Sequence, residues 1–265
     1  MLFRSPTPRS VPRLVDKLRS SSRPALIWYG RDGERVELSG RVLDNWVAKT
    51  ANLWVDELDL EAGDVVAVGD EVHWRSLAAV LGSWTMGAAV RVVDPREDAA
   101  EPGDRAVVGL VDPQGATPPL LDRVPAGARA VVLDRPALSL GHRGELPDGD
   151  VLDYCAEVRS HADVYDGLEE PAPDGAALRA AGTDDGFLPH DRLMPAAGEL
   201  AAGREDVWGT ASAVHVPGRR MDAEFLLRVL AVLAGGRAAV VTDRPADAAD
   251  DGWRSVLAAE NAVAF

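Results

Sequence analysis

Residues 57–95 constrain the fold most, because they spell a strand, a helix and a second strand with their turns in place. The turn signal Ala62-Gly63-Asp64 precedes an apolar run from Val65 to Val68. Trp74, Leu77, Ala78, Leu81 and Trp84 then recur at three- and four-residue spacing, which puts them on one face of a helix. A second apolar run, Ala88 to Val93, stops at Asp94-Pro95. Short, nearly all-apolar strands joined by an amphipathic helix suit a parallel sheet covered by helices, so the expected fold class is α/β.

The same alternation continues along the chain. Ser10 to Leu18 suits a first helix with Ser10 as cap and Pro12 in the first turn, and Ser39 can cap a helix carrying Leu43, Trp46, Val47, Thr50, Leu53, Trp54 and Leu58. Strands are expected at Val36–Leu38, Ala106–Val111 and Ala130–Leu133, a loop at Leu140–Asp150, and a short helix over Asp153–Ala162. Glu169 to Gly175, rich in acid, Pro and Gly, reads as a linker. Beyond it, strands at Ala176–Ala180, Ala211–Val216, Ala238–Val241 and Ala262–Phe265 alternate with helices at about Arg192–Ala202, Asp222–Leu233 and Gly252–Ala259. The pattern predicts two consecutive, mostly parallel, helix-covered units, residues 1–170 and 171–265. The tryptophans Trp46, Trp54, Trp74 and Trp84 sit on apolar helix faces and are expected in the core.

Composition excludes several roles. A net charge of −15 and a pI near 4.7 argue against a nucleic-acid partner, which needs clustered Lys and Arg. The most apolar stretch, Leu77–Val93, is interrupted by Gly82, Ser83, Thr85, Gly87 and Arg91, so no membrane span is expected. The N-terminus has no apolar core after its charges and does not read as a secretory signal, so a cytoplasmic location is expected. Cys155 stands alone, which rules out an internal disulfide and a cysteine metal cluster. The histidines are scattered without metal-ligand spacing, and neither a catalytic constellation nor a metal site is predicted; His190, Asp191 and Ser212 form only a weak candidate. Asp150 and Asp153, and Asp163 and Asp166, read as helix ends or turns. Only Lys17 and Lys49 are lysines, so the last four-fifths of the chain has none.

The wording of several segments resembles a known family. Leu60-Glu61-Ala62-Gly63-Asp64-Val65-Val66-Ala67-Val68, the helix, and Gly87-Ala88-Ala89-Val90-Arg91-Val92-Val93-Asp94-Pro95 look like the N-terminal part of adenylate-forming enzymes, the acyl-CoA synthetases, peptide-synthetase adenylation domains and luciferases. Ala25 to Gly30 with Glu34 to Ser39 resembles their opening hairpin, and Phe225 to Leu233 followed by Gly235-Gly236 resembles a later helix and strand. The chain is identified as a member of a group of short AMP-binding-like proteins similar to the early half of that large domain.

The resemblance implies ATP-dependent activation of a carboxylate and a phosphate loop of the form Y-T-S-G-T-T-G-x-P-K, whose glycines admit backbone N–H groups to the phosphates. Here the corresponding segment runs Ala180-Ala181-Gly182-Thr183-Asp184-Asp185-Gly186-Phe187-Leu188-Pro189-His190. Gly182, Thr183 and Gly186 match, and His190 stands near the place of the lysine; these four are the candidate cofactor-binding residues. The hydroxyl pair is replaced by Ala180 and Ala181, and later threonines by Asp184 and Asp185. A carboxylate about 4 Å from a phosphate charge costs about 4 kcal/mol at an effective dielectric near 20. ATP or AMP binding in the family manner is therefore not expected, and no cofactor is assigned. The family's later motifs fall beyond the point equivalent to Phe265. The expectation is a truncated, catalytically inactive synthetase-like protein with a binding or interaction role, meeting a protein partner or itself through the side left exposed. The alternatives are a subunit of an acyl-adenylate-forming enzyme completed by a partner, and a stand-alone binder of acyl or nucleotide metabolites.

Overall fold

The structure is a computed structural model that describes residues 7–94, 96, 99–112, 114–167, 170–179, 186–243 and 251–265. The first part of the chain forms α1 (Val11–Arg19), β1 (Pro24–Tyr29), β2 (Arg35–Ser39), α2 (Gly40–Leu58), β3 (Val65–Gly69), α3 (Trp74–Thr85) and β4 (Ala89–Val93). Then come β5 (Asp104–Leu110), β6 (Arg129–Leu133), β7 (Val151–Asp153), α4 (Tyr154–Glu157), β8 (Ala176–Arg179), β9 (Phe187–Pro189) and α5 (His190–Ala202). The chain closes with α6 (Glu205–Trp208), β10 (Ala213–His215), α7 (Ala223–Ala234), β11 (Ala238–Thr242), α8 (Asp251–Ala259) and β12 (Ala262–Ala264).

Local chemistry sets the helix starts. The Ser10 hydroxyl accepts from the Arg13 N–H, the Ser39 hydroxyl accepts from Val42 N–H at 3.3 Å, and the Asp222 carboxylate accepts from Phe225 N–H at 2.8 Å, each satisfying a first-turn donor. Helix α2 stops where Asp59 enters the left-handed region at φ 49. The expected helix over 153–162 is shorter: α4, capped by Asp153, passes into a 3₁₀ turn at Val158–Ser160. Strands β7 and β9 and helix α6, each three or four residues long, were not expected from periodicity, which needs a longer window.

The strands form two mostly parallel sheets. One has the order β12-β10-β11-β1-β2, the other β7-β6-β5-β3-β4-β8-β9, with only β2 and β9 antiparallel to their neighbours. The α/β class holds, but the sheets do not divide the chain at residue 170. Strands β1 and β2 join β10–β12, pairing Leu26 with Ala239, and β8 and β9 complete the sheet of β3–β7, pairing Val90 with Leu178. The chain thus crosses between the sheets twice, after β2 and after β9.

Helices lie between the sheets. A single core cluster unites Leu26 and Trp28 of one sheet, Val66 and Val90 of the other, and apolar faces of α1, α2, α3, α5 and α7. Trp253 of α8 covers the outer face of the first sheet, and Leu120 and Leu121 cover that of the second. Trp54, Trp74 and Trp84 are buried as expected, with Trp46 partly so and stacked on Tyr154. Two of the polar edges are satisfied: Trp54 Nε1 donates to Ser83 Oγ at 3.1 Å and Trp84 Nε1 to the Ala177 carbonyl at 2.6 Å, whereas Trp74 Nε1 is buried without a partner among the described residues. Gly82 lets α3 approach α2, since an added Cβ would stand 2.9 Å from Thr50.

Candidate functional site at the strand ends

In open α/β sheets the carboxyl ends of the strands border a crevice where ligands bind. Three strands here end on acids: Asp70 and Glu71 follow β3, Asp94 follows β4 and Asp243 follows β11. Arginines from other strand-end loops meet them, Arg220 and Arg135 across the two sheets and Arg31 within one. Arg220, on the loop between β10 and α7, lies 3.4 Å from Asp70 and also pairs with Asp94, while Met221 N–H donates to the Asp70 carbonyl at 2.7 Å. Arg135, after β6, donates to Asp243 Oδ2 at 2.8 Å and to the Val111 carbonyl at 3.0 Å. Arg31, after β1, donates to the Asp243 carbonyl at 2.9 Å. Trp28 Nε1 adds a further tie, donating to Val72 O at 2.9 Å. The sheets are thus fastened to each other at the ends that shape the crevice.

Burial dominates the titration of this crevice. It pushes the Asp70 carboxyl up to about 6, with Asp94 adding repulsion and Arg220 opposing it. It pushes Glu71 up to about 7, where Asp70 also raises it and a hydrogen bond to its own backbone opposes. Glu71 Oε2 is buried with no hydrogen-bond partner, which agrees with a carboxyl that gains little from being charged. Burial also raises Asp243. His73, wholly buried and edge-on to Trp28 at 4.5 Å, is held well below its ordinary value by burial, then by Arg75 and Arg135. A carboxyl that is close to half-protonated at neutral pH can take or give a proton, and Glu71 is the group of the crevice with that property. Among the described residues no cluster of three or more His, Cys, Asp or Glu is placed to hold a metal ion.

The candidate residues from sequence are only partly assembled here. Gly182 and Thr183 lie outside the described residues, as do Asp184 and Asp185. Gly186 ends that segment and leads into β9, which returns antiparallel to β8. His190 follows β9 at the start of α5, about 13 Å along the strand from Gly186 at the rise of an extended chain. Its ring is buried, burial lowers its pKa, and its hydrogen bond runs to the backbone of Gly87 just before β4. β9 thus separates His190, at the start of α5, from Gly186. No hydrogen bond among the described residues joins His190, Asp191 and Ser212; Ser212 instead accepts from Asn261 at 3.3 Å. Asp153 caps α4, Asp150 pairs with Arg129 at 2.7 Å and Asp163 with Lys49 at 2.6 Å, so these acids are structural. Cys155 is buried, which raises its thiol pKa. Of these acids the sequence singled out only Asp94, as the stop after the second apolar run; Asp70, Glu71 and Asp243 were not singled out. Their common signal is an acid placed within two residues of the end of an apolar strand.

Two sheets of this order, with helices between them and ties at the strand ends, define the fold of the N-terminal part of adenylate-forming acyl-CoA synthetases. An acyl-CoA synthetase from Brucella canis superposes with a TM-score of 0.70 at 19% identity over 96% of this chain and 47% of its own. The N-terminal domain of FACL13 from Mycobacterium tuberculosis gives 0.68 at 16% identity, covering 94% of this chain and 60% of that one. MatB from Rhodopseudomonas palustris gives 0.66 at 17% identity over 98% of this chain and 49% of its own. At these identities the likeness concerns the fold, and the chain spans about half the length of such enzymes. No protein-family model matches the chain. Within this class the chain belongs to the TIGR03089 family: a TIGR03089 family protein of Mycobacterium tuberculosis (strain ATCC 25618 / H37Rv) is 30% identical over 243 residues, covering 91% of this chain and 92% of the relative. Among the described residues no helix is long and apolar enough to cross a membrane.

Proposed function

We propose that this chain is a binding or interaction protein built on an adenylate-forming scaffold and does not itself form acyl-adenylates. One observation carries the reading: two arginines of the crevice, Arg220 and Arg135, are each paired with its carboxylates, and a third, Arg31, donates to the Asp243 carbonyl with the Asp243 carboxylate 3.9 Å away. A polyphosphate needs unspent positive charge, and here it would meet Asp70, Asp94 and Asp243 beside each arginine. The acids Asp184 and Asp185 in the segment equivalent to the phosphate loop act in the same direction. These residues do not suit ATP. Calorimetry with ATP, with magnesium and without, and with AMP tests the reading: no binding at micromolar nucleotide is expected. Micromolar affinity abolished by Gly182→Val overturns it.

A second reading is favoured by coverage, since the chain matches 47% of the Brucella canis acyl-CoA synthetase. In it, a partner protein supplies the rest of an acyl-adenylate-forming site. Carboxylate-dependent pyrophosphate release by a purified complex, absent from either component, supports this reading, and its absence from every complex obtained counts against it. A retained acyl or nucleotide metabolite in native mass spectra would assign the crevice to storage or sensing. The lone buried thiol of Cys155 fits work in the reducing cytoplasm, which cell fractionation tests.

A further inference from the structure

A cavity lies away from the crevice, at the other end of the second sheet. Strand β9 runs antiparallel to β8 and pairs Pro189 with Ala176, so α5 begins at the end where the parallel strands start. Helix α1 brings its own first turn to the same place: Ser10 and Arg13 line the cavity with His190 and Asp191 of α5. Its volume is about 250 Å³, which holds about eight non-hydrogen atoms at the share of one water each.

The amino ends of two helices give the cavity a positive field. The α1 end already holds one carboxylate, because Glu170, on the segment before β8, accepts from Ser10 Oγ and Arg13 Nε, each at 2.6 Å. Those groups are spent, and three others are not. Arg9 and Asp191 both line the cavity and are exposed, and neither side chain makes a hydrogen bond or ion pair among the described residues. The third is His190, only 6% exposed, whose Nε2 is buried without a partner. Burial lowers the pKa of this ring and keeps it neutral at pH 7. Its bond to the Gly87 backbone favours the charged form, so the ring donates that bond and Nε2 is left as an acceptor. The remaining wall is apolar, from Val11, Pro171 and Pro173.

A free guanidinium asks for an anion, while a free carboxylate and a buried acceptor ask for a charged donor. A simple anion or a simple cation meets only half of these demands. A zwitterion with an apolar body meets all of them. We propose that this cavity binds a small apolar α-amino acid, with its carboxylate against Arg9 and the helix ends, its ammonium shared between Asp191 and His190 Nε2, and its side chain against Val11, Pro171 and Pro173. Exposed ion pairs contribute little, so the expected dissociation constant is about millimolar. Nucleotide binding at the crevice and amino-acid binding at the far end of the sheet succeed or fail independently.

NMR titration of the full chain with L-valine, 3-methylbutanoate and 2-methylpropylamine is the test, since the three share one branched body and differ in the charges they carry. L-Valine should shift the His190 ring signals to saturation, and each single-charge analogue should bind at least about tenfold more weakly. Arg9→Gln should weaken L-valine about tenfold and leave the amine unchanged, and Asp191→Asn should weaken L-valine about tenfold and leave the carboxylate unchanged. Both side chains are exposed, so the thermal midpoint should not move with either substitution. No saturable shift at tens of millimolar L-valine, or an analogue that binds as well as L-valine, overturns the proposal. L-Valine binding indifferent to either substitution overturns it as well.

Discussion

Replacing Glu71 by Gln should stabilise the protein at alkaline pH and leave it nearly unchanged in acid. The carboxyl is pushed up to about 7 from an ordinary 4.5, and its Oε2 is buried without a partner. A folded-state pKa above the unfolded value means that the native state binds the proton more tightly. Stability is then greatest below 4.5, falls as pH rises through the interval to about 7, and carries the full deficit above it. At 1.36 kcal/mol for each step of pH, the deficit is about 3 kcal/mol. Glutamine keeps the shape and the acceptor but never ionises, so Glu71→Gln should recover about 2–3 kcal/mol at pH 8. For a chain of this size that corresponds to a rise in thermal midpoint of about 5–10 °C. At pH 4 both side chains are neutral and the two melting curves should nearly coincide. Urea titrations of both proteins at pH 4, 6 and 8 measure the difference directly, with an unchanged urea slope confirming that the unfolded state is comparable. Equal stabilities at pH 8, or a difference independent of pH, would refute the reasoning, because it would mean that the Glu71 carboxyl titrates as it does in water. The same deficit predicts that any ligand offering Glu71 a hydrogen-bond donor or positive charge gains affinity as pH rises.

Three further outcomes follow from the packing and the ties. Gly82→Val should cost about 1–3 kcal/mol in urea unfolding, because its Cβ would stand 2.9 Å from Thr50 and 3.3 Å from the Ala51 backbone; Gly82→Ala should cost less, since the gain of about 1 kcal/mol in helix propensity offsets part of the strain. Arg220→Ala should destabilise by about 1 kcal/mol at pH 8, a figure reduced for the half-exposed guanidinium, and by less at pH 5 as Asp70 protonates; NMR titration should find the Asp70 carboxyl moved further upward. Trp84→Phe should cost about 1–3 kcal/mol by removing the donor to the Ala177 carbonyl, and hydrogen exchange should quicken in β8 before it does in β3.

What was legible in the sequence is what is written locally. Helices α1, α2 and α7 announced themselves through Ser10, Ser39 and Asp222 followed by apolar stripes, and β3, β4, β6 and β11 through short runs of Val, Leu and Ala. Pairing over long distance was not written locally, because sequence order suggests only that neighbouring segments of a chain neighbour in space. One clue to the true pairing lay in β1. Ala25, Leu26, Ile27 and Trp28 are successive and all buried, so both faces of this strand are covered. A hairpin with one wet face would alternate, whereas an unbroken apolar run belongs inside a parallel sheet and needs a neighbour on its other side, the place β11 takes. The site was hidden for a related reason. Asp94 before Pro95 reads as a turn signal, and nothing in its own neighbourhood names Arg220 as its partner. The arginine arrives from a strand of the other sheet, so the charge balance of the crevice is a property of the interleaved topology. An acid ending one strand is a turn, but acids ending β3, β4 and β11 of two interleaved sheets are a surface, and arginines drawn onto that surface are no longer free to hold a phosphate.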